Sequence, residues 1–396
     1  MLEFDGQAMN LGVYVQVPFC QTKCTYCNFH TGVVSSARFA PYVDAVCREI
    51  REHRALYAAA GLHSAPLAAA GTVDTIYIGG GTPSLLAAEL LRRMLDAIRE
   101  SFACQLAEVT LEADPETVES PKAVAWRAAG IDRVSFGVQS FVDKELAASG
   151  RMHRREDIYR AVPILRGAGI ENISFDLIAG LPHQTAESWR RSLSELVQLE
   201  PKHVSIYLLE IDEGSRLGRE ALRGGKRYSA ANMPSEDEMA DFYEMAQAEL
   251  GAAGYAHYEI SNWAKPGFAS RHNLKYWRRE PYLGFGAAAH SFSGSERWAN
   301  APDSAHYAAA LQASRLPVDQ REAVSAEQAL DEELFLGLRQ LAGVDLSHIE
   351  RQYGVSLTSR VAPLAKRGLL QQEGSVIRLA PGRLSVSNEA FVELLR

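Results

Sequence analysis

The sequence predicts an α/β fold: a partial (β/α)6 barrel of TIM type with a small helical and winged appendage at its C-terminal end. Three observations carry this expectation. Six β-branched or apolar runs alternate with helical periodicity between Leu11 and Leu208. The helical stretches between them are long enough to return the chain across a parallel sheet. Three cysteines crowd into the loop after the first run, on the face where such barrels place their chemistry.

The runs are Leu11 to Val17, Thr75 to Ile78, Glu108 to Glu112, Arg133 to Val138, Ile173 to Leu177 and His203 to Leu208. Helices are expected over Arg38 to Tyr57, Ala87 to Ser101, Ser120 to Ala129, Glu156 to Ala168 and Glu187 to Leu199. Ala58 to Gly71, rich in Ala and Gly and without a sustained amphipathic pattern, reads as a variable connection. Asp212 to Ser229, rich in Gly, Arg and Glu, reads as a surface excursion before a helix at Ser235 to Ala253. From about Val324 a helical stretch, Ala326 to Leu341, precedes strand-like pieces around Gly368 to Leu379. The expected organisation is a barrel over 1–230, a connecting region over 231–323 and a C-terminal domain over 324–396.

Charge and composition exclude some functions. The 49 acidic residues outnumber the 41 basic ones, for a net charge of -8, so no global field draws the chain to a phosphate backbone and nucleic acid is not an expected partner. No run of about 18 apolar residues exists to span a membrane. The N-terminal stretch carries Glu3 and Asp5 rather than a basic, then apolar, leader, so a cytoplasmic location is expected. The five cysteines are an odd number, and three fall between Cys20 and Cys27, too crowded for a disulfide framework.

Cys20, Cys24 and Cys27 form C-x3-C-x2-C directly after the strand-like Tyr14 to Val17. Three thiolates can hold three irons of a 4Fe-4S cluster and leave the fourth open to the amino and carboxylate groups of S-adenosylmethionine (SAM). The alternative is a Cys3His zinc site with His30 as fourth ligand, and hence a zinc-stabilised binding module. Cys47 and Cys104, in or beside helices, read as small buried hydrophobes. Gly79, Gly80 and Gly81 after the second strand would let backbone approach a ligand, or simply make a tight turn. Glu112 and Asp176 end the third and fifth strands, aimed by position at the barrel mouth, with loop caps as the other reading. Gln139 ends the fourth, and Arg151 follows in the next loop with a fixed cationic fork.

The segment YVQVPFCQTKCTYCNF resembles the radical SAM family, and within it the branch of oxygen-independent coproporphyrinogen III dehydrogenases (oxidases) and HemW. GGGTPS at Gly79, LEADPE at Leu111, SFGVQSF at Ser135, SGRMH at Ser149 and FDLIAGLPHQT at Phe175 resemble that branch in order and spacing, and the C-terminal region resembles its HemN-type domain. The resemblance implies a radical SAM barrel with the 4Fe-4S cluster on Cys20, Cys24 and Cys27. It also implies SAM contacts at Tyr14, Tyr26, Gly80, Gly81, Thr82, Glu112, Gln139, Arg151 and Asp176.

One departure decides between the branch's tasks. The dehydrogenases carry a fourth cysteine two residues beyond the third, where this chain has Phe29. That resembles HemW, whose members are taken to be haem chaperones that pass haem to clients such as respiratory haem enzymes. The segment RHNLKYW at Arg271 contains H-N-x-x-Y-W, which resembles the haem-binding motif of that branch and makes His272 the expected haem ligand. Tyr276 and Trp277 could cover a porphyrin face, and Arg271, Lys275, Arg278 and Arg279 could meet its propionates. Read without the family, the segment is a solvated basic stretch beside a local aromatic core. His290 is a rival ligand, while His153 and His183 read as structural hydrogen-bonders. The expected function is therefore haem carriage, with coproporphyrinogen III decarboxylation as the alternative and enzyme status open. By resemblance the chain would form a homodimer and touch membrane-bound clients transiently.

Overall fold

The computed structural model describes residues 10–62 and 71–395. Most of the Ala58 to Gly71 connection and the acidic N-terminal stretch thus lie outside the described residues. The central feature is six parallel strands paired in chain order: β1 (Asn10–Val17), β2 (Thr72–Gly80), β3 (Cys104–Ala113), β4 (Arg133–Gln139), β5 (Asn172–Ala179) and β6 (His203–Leu208). Side chains alternate across them. Val13, Val15 and Val17 of β1 and Ile76 and Ile78 of β2 are fully buried in the main apolar core, while Tyr14 and Gln16 reach the concave side. The crossovers are α1 (Phe39–Ala59), α2 (Ala88–Ser101), α3 (Ser120–Ala129), α4 (Asp143–Ala148) with α5 (Arg155–Gly167), and α6 (Ala186–Leu199). Helix α6 starts where sequence logic would start it, with the Thr185 side chain accepting from Ser188 N.

The strand series does not stop at Leu208. The stretch between Asp212 and Ser229 forms α7 (Arg216–Leu222), and α8 (Glu236–Ala252) follows, before β7 (Ala256–Glu259) and β8 (Asn262–Ala264) extend the sheet antiparallel beyond β6. After α9 (Arg271–Trp277), strand β9 (Tyr282–Phe285) pairs parallel with the other edge of β1. Strands β10 (His290–Phe292), β11 (Glu296–Asn300) and β12 (Val318–Ala323) then complete a 12-stranded sheet, with α10 (Ser304–Gln312) preceding the last. These added strands are 3 to 6 residues long, too short for a period-two pattern to declare itself in sequence.

Helix α9, which carries the H-N-x-x-Y-W segment, packs against β2 and β3 and against the helix Ala326–Arg339. The Glu108 carboxylate accepts from Arg271 N (3.0 Å) and His272 N (3.1 Å), and Ser270 caps the helix. Gly12 makes room for it: a Cβ there would meet Lys275 Cδ at 3.0 Å and His272 Cε1 at 3.3 Å. Lys275 is buried between Asp74 (2.8 Å) and Glu280 (3.1 Å).

The C-terminal region has an apolar core of its own, including Leu334, Leu338, Ile377 and Leu394. It comprises α11 (Ala326–Arg339), α12 (Leu346–Tyr353), α13 (Thr358–Lys366), α14 (Ser387–Leu394) and a small sheet of β13 (Val344–Asp345), β14 (Leu370–Glu373) and β15 (Val376–Leu379). Glu332 of α11 ties it to the sheet through Arg279 (2.7 Å) and Arg297 (2.7 Å). Among the described residues no helix is long and apolar enough to cross a membrane.

Candidate functional site

The cysteine loop leaves the end of β1 and folds back over the mouth of the barrel. Thr25 N donates to Ser149 O (3.0 Å) and Leu217 N to Thr25 O (2.7 Å). Arg216 donates to Lys23 O, and Asn28 to the Asp212 carboxylate. The start of the Asp212 to Ser229 segment thus also braces the cysteine loop, through Arg216 and Leu217 N on backbone carbonyls and Asp212 on the Asn28 side chain, while the rest of it is exposed or half-buried. Cys20, Cys24 and Cys27 line one wall of a cavity of about 480 Å³ at the strands' C-terminal ends. Tyr26, Gly80, Gly81, Thr82, Glu112, Gln139, Arg151 and Asp176 line the same cavity, and Tyr14 is the one expected SAM contact that lines only a second, adjoining cavity.

The glycine run serves the loop before it serves any ligand. Gly81 N donates to Val17 O (2.8 Å), Thr82 N to Phe19 O (2.7 Å) and Gly80 N to Glu112 Oε2 (2.9 Å), so these amides are already engaged. A Cβ on Gly81 would strike Phe19 O and lie 3.0 Å from Cys20 Sγ. Gly80 sits at φ 113°, and Gln139, at φ 65°, holds a left-handed conformation uncommon for its type at the end of β4.

Arg151 organises the electrostatics. It donates to Gly137 O (2.7 Å), pairs with the Asp114 carboxylate and lies 3.7 Å from Cys24 Sγ. Burial works against its charge, but Asp114, Tyr26 and Cys24 hold it firmly protonated. Burial also pushes up the Cys20 and Cys24 thiols, opposed at Cys20 by Thr31 and Thr82 and at Cys24 by Arg151. Half-buried thiols beside a fixed guanidinium suit a polynuclear cluster whose irons would take the thiolate form outright. His30, which a Cys3His zinc site needs, lines the second cavity and not the first, and among the described residues no three ligating groups converge on one ion position. Glu112, accepting from Tyr77 OH (2.9 Å) and Gly80 N, is pushed up to about 7 by burial, those bonds opposing. Asp176, accepting from Ser135 Oγ (3.2 Å), is raised by burial as well.

The second cavity, about 570 Å³, shares Asn28, Phe29, Gly80 and Glu112 with the first; Phe29 is 66% exposed between them. Its wall includes Tyr14, Tyr276, Tyr282, His30 and His290. His272 does not reach it. That residue is 1% exposed, with Nδ1 3.0 Å from Thr75 Oγ1 and Nε2 2.8 Å from Tyr276 OH, so neither nitrogen is open to iron in this conformation. Nor do Lys275 and Arg279 offer themselves to propionates, being committed to Asp74, Glu280 and Glu332. His153 is buried and bonded to Val138 O (3.0 Å), while His183 sits in a turn at φ 71°. Sequence reasoning passed over Asp114, although it stands in LEADPE between Glu112 and Glu116. It also passed over Gln16, on which Tyr14 OH bonds (2.5 Å) and against which Gly80 closes.

The radical SAM superfamily matches residues 14–196 and the HemN C-terminal domain residues 324–384. The chain is similar to the heme chaperone HemW of Bacillus subtilis, 34% identical with 96% of this chain and 97% of that one covered. The heme chaperone HemW of Mycobacterium tuberculosis is 36% identical, with 97% and 94% covered. Among solved structures, the coproporphyrinogen III oxidase HemN from Escherichia coli, a radical SAM enzyme, superposes with a TM-score of 0.82 at 25% identity, covering 98% of this chain and 90% of that one.

Proposed function

The chain belongs to the radical SAM superfamily and to its HemW group, and on that premise we propose that it is a haem chaperone which binds a 4Fe-4S cluster and SAM in the barrel and carries haem to client haem proteins. The observation that supports it most is the first cavity, where three free thiols, a buried Arg151 and the carboxylates Glu112 and Asp176 face one space. Bound there, a cluster supplies an open iron corner for SAM and an electron for its carbon–sulfur bond. Cys20, Cys24 and Cys27 hold the cluster, and Arg151 sets the charge beside it. Glu112 and Asp176 accept hydrogen bonds from the ammonium or ribose hydroxyls of SAM, while Tyr26, Gly80, Gly81, Thr82 and Gln139 shape its seat. Tyr14, bonded to Gln16, lines the second cavity with it rather than this one.

Phe29 in place of a fourth cysteine supports carriage over decarboxylation. Respiratory haem enzymes as clients and a homodimeric state follow from the family reading. The five unpaired cysteines suit a reducing compartment such as the cytoplasm.

The test is anaerobic reconstitution with iron and sulfide. Cluster absorbance should vanish in each single Cys→Ser variant at positions 20, 24 and 27, and haem loaded on the parent should pass to an apo-client. Protoporphyrinogen formation from coproporphyrinogen III by the same preparation would refute the carrier reading in favour of the enzyme.

A further inference from the structure

Five of the ten histidines among the described residues have their rings committed inside the protein, one of them His153, bonded to Val138 O. His53 bonds Ile50 O, His203 bridges Ser174 and Tyr258, His257 bonds Ile260 O, and His272 bridges Thr75 and Tyr276. His30 and His290 differ. Both line the second cavity, neither ring has a hydrogen-bond partner among the described residues, and they stand close enough for a charge on one to be felt by the other. Partial enclosure, then Arg297 and His30, lower His290 from its ordinary range, so it presents a neutral imidazole with a lone pair to the cavity.

We infer that the iron tetrapyrrole docks in this second cavity, with His290 as ligand to the iron and His30 as the second imidazole facing it. The placement rests on the haem-carrier reading and adds to it the seat of the cargo. Four observations converge. The volume of about 570 Å³ falls within the roughly 300–1,000 Å³ of cofactor sites. Tyr276, Tyr282 and Phe29 offer aromatic surface to a porphyrin plane. His290 stands on a fixed frame, β10, paired to Ala299 of β11, rather than on a mobile loop. The fourth is the role left to the H-N-x-x-Y-W helix: His272 holds Tyr276 OH from behind, so the helix builds a wall of the cavity and His272 positions that wall without touching iron. Because Asn28, Phe29, Gly80 and Glu112 border both cavities, the cargo would lie one wall away from the cluster and SAM.

The experiment titrates haemin into the reconstituted full chain and into H290A, H30A and the double variant, recording Soret position, spin state and affinity. His290 and His30 are both exposed, so the variants should keep the parent's melting temperature. Loss of the ligand should weaken binding by roughly 10–100-fold, shift the Soret band, and be reversed when free imidazole is added to H290A. Unchanged spectra and affinity in all three variants would overturn the site while leaving the carrier reading intact. Failure of the parent itself to bind haemin would overturn both.

Discussion

Replacing His272 with alanine removes a strut that the structure buries completely. The imidazole connects Thr75 of β2 to Tyr276 of α9, and it packs against the Tyr77 and Tyr276 rings at centroid distances of 5.3 and 5.2 Å. Stranding each of the two hydroxyls costs about 1 kcal/mol or more, and deleting a buried ring that cannot be refilled adds about 2–3. The expected loss is therefore about 4–5 kcal/mol, which for a chain of this size lowers Tm by about 5–7 °C. Calorimetry on the cluster-free protein measures it. H272Q, which can keep one of the two hydrogen bonds, should recover about half. The pH dependence supplies a second check. Burial, then Lys275 and Arg133, lower His272 to about 3, against an ordinary 6.5. Its neutral form thus contributes stability that is intact above pH 6.5 and lost as pH falls toward 3, and in H272Q that part of the acid sensitivity should disappear. An H272A protein melting within about 1 °C of the parent would refute this account. So would an H272Q protein that is fully stable yet loses the haem spectrum, because His272 would then be a ligand.

Other substitutions report on the first cavity. R151K keeps the charge but not the fork that spans Asp114, Gly137 and Cys24, so SAM affinity by calorimetric titration should fall by about tenfold or more with the cluster's iron content retained. G81A drives a methyl into Phe19 O and Cys20 Sγ. It should cost about 1–3 kcal/mol and lower the iron and sulfide bound per chain. Burial raises Glu112 from 4.5 to about 7, so in the ligand-free protein its stabilising share is full below 4.5 and lost as pH rises through about 7. SAM, a cation, needs the carboxylate, so its affinity should drop by up to about tenfold per pH unit below 7, with E112Q showing a flat profile.

The barrel strands and the cysteine loop were legible because each is written locally. β1 to β6 are β-branched runs bounded by turns, and three thiols within eight residues have few physical explanations. What escaped the sequence depends on distant partners. RHNLKYW reads as a basic, solvated or porphyrin-binding stretch, yet Lys275 is neutralised by Asp74 from β2 and Glu280, and His272 is hydrogen-bonded to a threonine 197 positions earlier. The strands from Ala256 to Ala323 are short and partly exposed, and they are strands only because β1 and β6 offer unpaired edges. Asp114 sat in plain view, but only Arg151, arriving from the loop after β4, gives it a role.

The pairing of β1 with β9 has a bearing on how the chain comes into being. Gly12 to Val15 cannot find their partners, Tyr282 to Phe285, until some 270 residues more have left the ribosome. The thiols therefore emerge early, in the loop after a strand whose second flank stays bare until β9 arrives. The first cavity is lined by residues from Cys20 to Asp212, whereas the second also needs Tyr276, Tyr282, Ala288 and His290, so a truncated product lacking the region after Tyr282 keeps the lining of the first cavity and loses a wall of the second.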